Sequence, residues 1–109
     1  MDGIESISAE RKRQIEQEGW THEHDDQHTD ETLALVAALY AAPFPLLTEE
    51  VEQHDDGRSY FAFMDPWPAS WDSSWDRRSD HSRRRQLVIA GALIAAEIDR
   101  LDREGARNA

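Results

Sequence analysis

The sequence predicts an all-α protein, a compact bundle of three to four helices with a connector rich in tryptophan and proline, assembled as an oligomer. Apolar residues recur at helical spacing in two stretches, 29–42 and 83–103. Segment 59–81 lies between them and contains prolines and three tryptophans, so it is predicted to connect the helices. The apolar faces of the helices are narrow, which favours a symmetric oligomer. The 109 residues fit one helical domain, 1–109, with a modest core.

The N-terminal half of the chain is predicted to contain two helices. The first covers about 9–18, with Ser8 as its N-cap and Gly19 as its stop signal. Its apolar stripe is thin, so it must pack across another element. The second covers 22–42 or, more conservatively, 29–42, and it ends where a proline follows.

The C-terminal half combines one ambiguous region with one long helix. Segment 48–53 could form a further short amphipathic helix, whereas 59–64 alternates weakly and is predicted to be extended or loop, because an isolated strand has no partner. The last helix, 83–103, contains Gly91, which predicts a close helix crossing. A heptad-like seam runs along this helix and comprises Leu87, Gly91, Ile94, Ile98 and Leu101, with Val88 and Ala95 beside it.

The composition limits the classes of partner. The chain has 23 acidic residues against 12 Lys and Arg, a net charge of −11. This charge disfavours direct binding to nucleic acid or to an anionic membrane and favours basic protein partners. Without cysteine there is no disulfide, no thiolate zinc site and no cysteine nucleophile. The longest apolar run is about ten residues, half of what a membrane span needs.

Two groups of residues are candidates for metal binding. His24, Asp25 and His28 read H-D-x-x-H, the spacing with which helical zincin-type motifs hold zinc. Asp26 could join an oxygen and imidazole site for magnesium. We favour the other interpretation, in which these acids cap a helix and complement its dipole. Glu97 lies beside the apolar face of the last helix, where an ion pair is favoured over a metal-binding or catalytic role. The candidate partners of that ion pair are Arg11, Arg13 and Arg100.

A cluster of aromatic and basic residues is a candidate ligand site. Its members are Trp67, Trp71, Trp75, Arg77, Arg78, Arg83, Arg84 and Arg85. Aromatic planes stack on bases and guanidinium groups bind phosphates, so the cluster could hold a nucleotide within an acidic protein. The alternative, which is slightly favoured, is that the tryptophans fill a thin core and the arginines pair with acidic residues.

Several motifs carry a resemblance to a known group of proteins. ERKRQIEQEGWTHEHDDQH, an alanine-rich run ending in LYA, DPWPASW and RRRQLVIAGALIAAEIDRLDR together resemble a family of small helical proteins encoded by tailed phages and prophages. The resemblance covers most of the chain. It implies a phage origin, and hence the cytoplasm of an infected or lysogenic bacterium, more firmly than it implies an activity.

Two functions follow from these observations. The first is a non-enzymatic phage accessory protein that counters host defence, needs no cofactor, and either sequesters a nucleotide immune signal or occupies a basic host protein. The alternative resembles the all-helical MazG nucleotide pyrophosphohydrolases, with magnesium held by Asp26, Asp30, Glu31 and Glu97. The chain lacks the E-E-x-x-E cluster and the later E-x-x-D of that family. We therefore favour the binding function.

Overall fold

The protein is mostly helical, as predicted. The computed structural model describes residues 1–53 and 55–107, and it describes side chains outside 50–53 and 60–62. The α-helices in chain order are α1 (Gly3–Gln17), α2 (His22–Asp25), α3 (Thr32–Ala41) and α4 (Arg83–Arg107). Two single turns of 3₁₀ helix, Ser73–Trp75 and Arg78–Asp80, lie in the connector before α4.

The protein is not all-α, because a β-hairpin follows α3 and includes the first residues, 59–64, of the predicted connector. Strands β1 (Thr48–Gln53) and β2 (Ser59–Met64) pair antiparallel, with Thr48 opposite Met64. The helix predicted at 48–53 is therefore wrong, and the segment predicted as extended or loop is its partner strand. Gly57 adopts φ of 78° in the connection, a conformation that suits glycine in a tight reversal. Each strand therefore finds its partner within the same chain, which we did not expect from the sequence.

Helix α1 begins earlier than predicted because a capping box forms at Asp2. The Asp2 carboxylate accepts a hydrogen bond of 2.9 Å from the backbone N–H of Glu5, and the Glu5 carboxylate accepts one of 3.4 Å from the N–H of Asp2. Ser8, predicted as the N-cap, therefore lies inside the helix. Gly19 follows the end of the helix with φ of 71°, as predicted for a stop signal.

The longer form of the predicted second helix, 22–42, is wrong because it is divided into α2 and α3, whereas the more conservative form, 29–42, corresponds to α3 with a later start. Between α2 and α3, Glu31 adopts the left-handed conformation, with φ of 65°, which a continuous helix cannot contain. The Asp30 carboxylate accepts hydrogen bonds from the backbone N–H of Thr32 at 3.2 Å and from its hydroxyl at 2.8 Å. This local bonding competes with helix formation and delays the start of α3.

Helix α4 is the central element, since it packs against α3 on one side and against α1 on another. The core that forms with α3 and the connector comprises Leu33, Val36, Ala37, Tyr40, Trp71, Ile89, Ala90 and Leu93. The molecule measures 52 × 38 × 20 Å and its Cα radius of gyration is 16.6 Å, against about 13 Å for a compact domain of this size. In the described part of the chain no helix is both long and apolar enough to cross a membrane.

Much of the seam predicted on α4 lies at the surface. We call the exposed members, Leu87, Ile94, Ile98 and Leu101, the α4 strip; they are 45–53% exposed. The core-facing side of α4 comprises instead Val88, Ile89, Ala90, Ala92, Leu93 and Ala96. Gly91 lies between the two sides and provides the predicted close helix crossing, because Ile7 of α1 occupies the space that a side chain would need.

The contact between Gly91 and Ile7 predicts how substitutions at this helix crossing change the stability of the protein. A Cβ at position 91 would lie 2.5 Å from Cδ1 and 2.8 Å from Cγ1 of Ile7. We expect Gly91→Ala to reduce the free energy of unfolding by about 1 kcal/mol, since overpacking outweighs the gain in helix propensity. In an Ile7→Ala background the same substitution should stabilise. Urea unfolding measures both, with Gly105→Ala as a control because its Cβ meets nothing within 4 Å. The same sign in both backgrounds would contradict the crossing.

Candidate functional site

One cavity brings together three members of the aromatic and basic cluster. It has a volume of about 640 Å³ and lies between α1, the connector and the first turns of α4. Trp75, Arg77 and Arg85 line it, together with Arg13 from α1. We call this cavity the Trp75 pocket. Its volume falls in the range of small-molecule binding sites.

The connector holds Trp75 in place by bonding to α3. The buried Tyr40 hydroxyl accepts a hydrogen bond of 3.0 Å from the backbone N–H of Arg77 and donates one of 3.4 Å to the carbonyl of Trp75. The indole of Trp75 meets the buried indole of Trp71 edge to face, with ring centroids 5.4 Å apart. Trp75 nevertheless remains 40% exposed. The bonds to Tyr40 therefore hold Trp75 at the pocket, with part of its indole accessible.

A buried carboxylate forms ion pairs with two of the arginines in the pocket. Glu10 is 1% exposed, and it accepts hydrogen bonds from Arg13 at 2.7 Å and from Arg85. Arg13 also bonds Glu18 at 2.8 Å. These hydrogen bonds, above all those with Glu10, raise the pKa of Arg13. Glu10 and Glu18 together supply two negative charges to the two guanidinium groups, so this part of the pocket is close to neutral.

Arg77 is the cation in the pocket that a ligand can recruit most readily. Its side chain is 66% exposed and pairs at 3.3 Å with Asp80, which is 58% exposed. Exposed ion pairs of this kind contribute about 0–1 kcal/mol, so an anion on the ligand can displace the carboxylate at small cost.

Gln14 contributes an unsatisfied polar group to the wall of the pocket. The residue is 1% exposed, and its Oε1 atom has no hydrogen-bond partner among the described residues. A buried acceptor without a donor destabilises a protein by about 1–3 kcal/mol.

His24 lines the same pocket. Its imidazole stacks on Trp20, with ring centroids 5.8 Å apart and planes at 3°. Its Nδ1 atom lies 3.2 Å from Oδ1 of Asp25. Asp25 is fully buried and also accepts a hydrogen bond of 3.0 Å from Arg11. The His24 ring is thus fixed in orientation on both its face and its edge.

The sequence prediction missed several pocket residues. Glu10, Arg13 and Gln14 lie on a predicted helix, where their pattern is typical of a solvated face. Trp20 and Tyr40 are aromatic residues, a type that is more often found in a core than on the wall of a pocket. The approach of α1 to the connector is what brings these five side chains to the pocket.

Two of the predicted tryptophans lie in the core instead. Trp71 is 4% exposed, and Trp67 packs against it with ring centroids 6.1 Å apart. Neither lines the Trp75 pocket. Their positions agree with the alternative prediction, in which tryptophans fill a thin core.

Three of the predicted arginines have structural partners outside the pocket. Arg83 donates to the carbonyl of Ala42 at 2.9 Å, near the end of α3. Arg84 donates to the Ser6 hydroxyl at 2.9 Å, which ties α1 to α4. Arg78 is fully buried and binds two carboxylates, as described below. The structure therefore assembles Trp75, Arg77 and Arg85 from the predicted cluster and separates the other five residues from them.

Arg78 links two parts of the connector through ion pairs. Its guanidinium bonds Asp65 and Asp76, each at 2.8 Å. It also lies over the rings of Phe44 and Trp67, at 5.0 and 5.4 Å from their centroids. Burial alone would raise the pKa of Asp76, but hydrogen bonds and the charge of Arg78 lower it below its ordinary value.

The candidate metal ligands are engaged in other contacts. Helix α2 ends at Asp25, so His24 and His28 do not share a helix face. The His28 ring packs on Trp71 at 4.8 Å. Asp26 bonds Arg103 at 2.7 Å. Among the described residues, no group of three or more His, Asp or Glu side chains could hold a metal ion.

Glu97 forms a structural ion pair. It accepts a hydrogen bond from Arg100, one of the three partners considered from the sequence, and both residues are buried. Of the other acids in the hydrolase alternative, Asp30 bonds Thr32, and Glu31 is exposed at the start of α3.

Comparisons of the chain with protein-family models, with curated proteins and with solved structures give no match. The pocket is therefore the main structural basis for inferring a function. It is a cavity of mixed charge, lined by a partly exposed indole.

Substitution of the two adjacent arginines of the connector should affect stability strongly at Arg78 and little at Arg77. We expect Arg78→Ala to lower the free energy of unfolding by about 2–3 kcal/mol, because it removes a buried guanidinium from two partly exposed carboxylates. Arg77→Ala should change it by less than about 0.5 kcal/mol, since its pair is exposed. Urea unfolding of both variants tests this difference. Equal losses would contradict the structural role of Arg78.

His28 predicts a pH dependence of stability. Burial, and secondarily the charge of His24, lower the pKa of His28 below its ordinary value of 6.5. As the pH falls below 6.5, the unfolded chain therefore binds more protons than the folded one. The contribution of His28 to the free energy of unfolding is complete above this pH and is lost as the pH approaches the lower pKa of His28 in the folded protein. We expect His28→Gln to flatten the decline in unfolding free energy as the pH falls below 6.5. His22→Gln, at an exposed position, should retain it. Parallel curves for wild type and His28→Gln would contradict this assignment.

Proposed function

We propose that the protein is a non-enzymatic binding protein whose Trp75 pocket holds a nucleotide-type small molecule. The observation that carries this proposal is that an exposed indole and three arginines line one cavity of about 640 Å³. Stacking of a base on an aromatic side chain contributes about 1–3 kcal/mol. Guanidinium groups bind phosphate oxygens with paired hydrogen bonds.

The balance of charge in the pocket favours a ligand with few phosphate charges. Arg13 and Arg85 are already bound by Glu10, and Glu18 and Asp80 add further negative charge. Arg77 is the cation that can change partner at small cost. This balance supports a monophosphate or phosphodiester over a triphosphate, whose charge would meet too few available cations. The unsatisfied Gln14 acceptor suits a base with an amino group.

The role that we propose for this binding is sequestration. The resemblance to phage-encoded proteins supports an accessory protein that counters host defence by removing a nucleotide signal in the bacterial cytoplasm. Sequestration needs stoichiometric binding without turnover. It therefore requires neither a cofactor nor a catalytic group.

A second candidate, occupation of a basic host protein, rests on the distribution of charge. The chain carries a net charge of −11. Several of its arginines are used in ion pairs within the molecule, among them Arg11, Arg78 and Arg100, which are at most 11% exposed. The carboxylates of these pairs are engaged as well, so the accessible surface keeps the acidic balance of the composition, which suits a basic partner.

The proposed functional form is a homo-oligomer. The chain is only 20 Å thick in its shortest dimension, and its longest helix leaves apolar side chains at the surface. A second copy would complete the compact bundle that the sequence predicts.

Binding is tested by native mass spectrometry and calorimetry with a panel of linear and cyclic nucleotides, with and without magnesium. We expect an intact nucleotide to be retained at fixed stoichiometry. Trp75→Ala and Arg77→Ala should each weaken its affinity about tenfold, because they remove the stacking surface and the available cation. The control is Arg58→Ala, an exposed arginine in the hairpin turn that does not line the pocket.

Three results would contradict the proposal. Magnesium-dependent release of a monophosphate would show the hydrolase instead. Equal affinity in wild type, Trp75→Ala and Arg77→Ala would place the ligand elsewhere. No binding across the panel would reject a nucleotide pocket and leave a basic host protein as the leading candidate.

A further inference from the structure

The α4 strip is a continuous apolar surface on the longest helix of the protein. Leu87, Ile94, Ile98 and Leu101 expose 45%, 48%, 53% and 51% of their surface. Soluble monomers rarely expose contiguous apolar patches beyond a few hundred Å². An ordered row of four aliphatic side chains therefore indicates an interaction surface.

The apolar surface continues from α4 onto α1. A groove of about 510 Å³ between the two helices is lined by Ile4, Ile7, Ile15 and Ala95. Ile4 is 83% exposed. Apolar side chains are therefore accessible on α1 as well as on α4.

The spacing of the strip favours a helix as the occupant. Its residues follow one another at intervals of seven, four and three, the spacing of the core positions in a coiled coil. Leu87 and Leu101 are equally distant in sequence from Ile94. When two such strips lie antiparallel with Ile94 near the centre, Leu87 of each approaches Leu101 of the other. The strip is thus complementary to a second copy of itself.

The charges at the two ends of the strip support the same arrangement. Arg84 precedes the strip and Asp102 follows it, and both are exposed. They are 18 residues apart in sequence, about five full turns of helix, so they lie on the same side of α4. In an antiparallel two-fold pair, Arg84 of one copy faces Asp102 of the other. A parallel pair would place like charges together.

We infer that the protein forms a symmetric homodimer in which the α4 strips of two copies pack antiparallel. The same surface of both copies forms the interface, as in an isologous contact: Leu87 of each copy meets Leu101 of the other, and Ile94 lies near the two-fold axis. Arg85 and Ile89, which line the Trp75 pocket, lie on the opposite side of α4. The dimer therefore leaves the pocket open, and it does not depend on ligand binding.

The oligomeric state is the first test. Sedimentation velocity at about 0.15 M salt, which screens the repulsion between acidic chains, should give twice the chain mass of 12.5 kDa. We expect Ile94→Glu to raise the dissociation constant at least 100-fold, since it places a charge at the centre of the strip. Leu47→Glu is the matched control, because Leu47 is 54% exposed outside the strip. It should leave the dimer intact.

Charge exchange tests the orientation without burying a new charge. Arg84→Glu and Asp102→Arg should each weaken the dimer about threefold to tenfold. Because Arg84 also bonds the Ser6 hydroxyl within the chain, Ser6→Ala is the control for loss of that contact, and it should leave the dimer intact. The two charge changes in one chain should restore the wild-type dissociation constant. Additive weakening in the double variant would overturn the antiparallel arrangement.

Single cysteines give a direct measure of orientation, because the chain has none of its own. Ile94→Cys should cross-link to itself with a short bismaleimide. Leu87→Cys should cross-link to Leu101→Cys in a mixture and not to itself. Self-linking of Leu87→Cys would show a parallel pair and overturn the inference. A wild-type chain that stays monomeric would also overturn it, and would assign the strip to a helix of another protein.

Discussion

The burial of Trp71 is the constraint on which the rest of the structure depends. Its indole is 4% exposed and meets Trp20, Trp67 and Trp75 edge to face, at centroid distances of 5.4–6.3 Å. These contacts join the segment after α1, the connector and the α3–α4 core. In a thin molecule, one large side chain at such a junction contributes a large share of the apolar burial. The position of Trp75 at the pocket follows from this anchor.

Ion pairs hold several arginines inside the molecule. Arg11, Arg78 and Arg100 are directed inward to Asp25, Asp65 and Glu97, respectively. Breaking such pairs leaves uncompensated charge, so they specify the arrangement of the elements even where they add little net stability. Each pair engages a carboxylate together with the arginine, so the accessible surface keeps the acidic balance of the sequence. The same logic applies in the Trp75 pocket, where Glu10 occupies two arginines and leaves Arg77 as the cation that can change partner.

The sequence predicted the elements whose signals are local. Periodicity located α4, and Gly19 located the end of α1. The hairpin was missed because Thr48–Gln53 resembles a capped amphipathic helix by itself, whereas strand formation depends on a partner further along the chain. Helix α4 carries apolar residues on two sides, and only its packing against α3 and α1 decides which side becomes the α4 strip. For the same reason the sequence suggested Trp75, Arg77 and Arg85 but gave no signal for Gln14, which reaches the pocket only through the tertiary fold.

The central claim is that a nucleotide binds against the exposed indole in the Trp75 pocket. The most direct measurement is an NMR titration that follows the indole N–H resonances of the four tryptophans as a nucleotide is added. The structure predicts the largest shifts for Trp75 and Trp20, which line the pocket, and much smaller ones for Trp67, which lies outside it. Unchanged resonances for Trp75, or a largest shift at Trp67, would contradict this account.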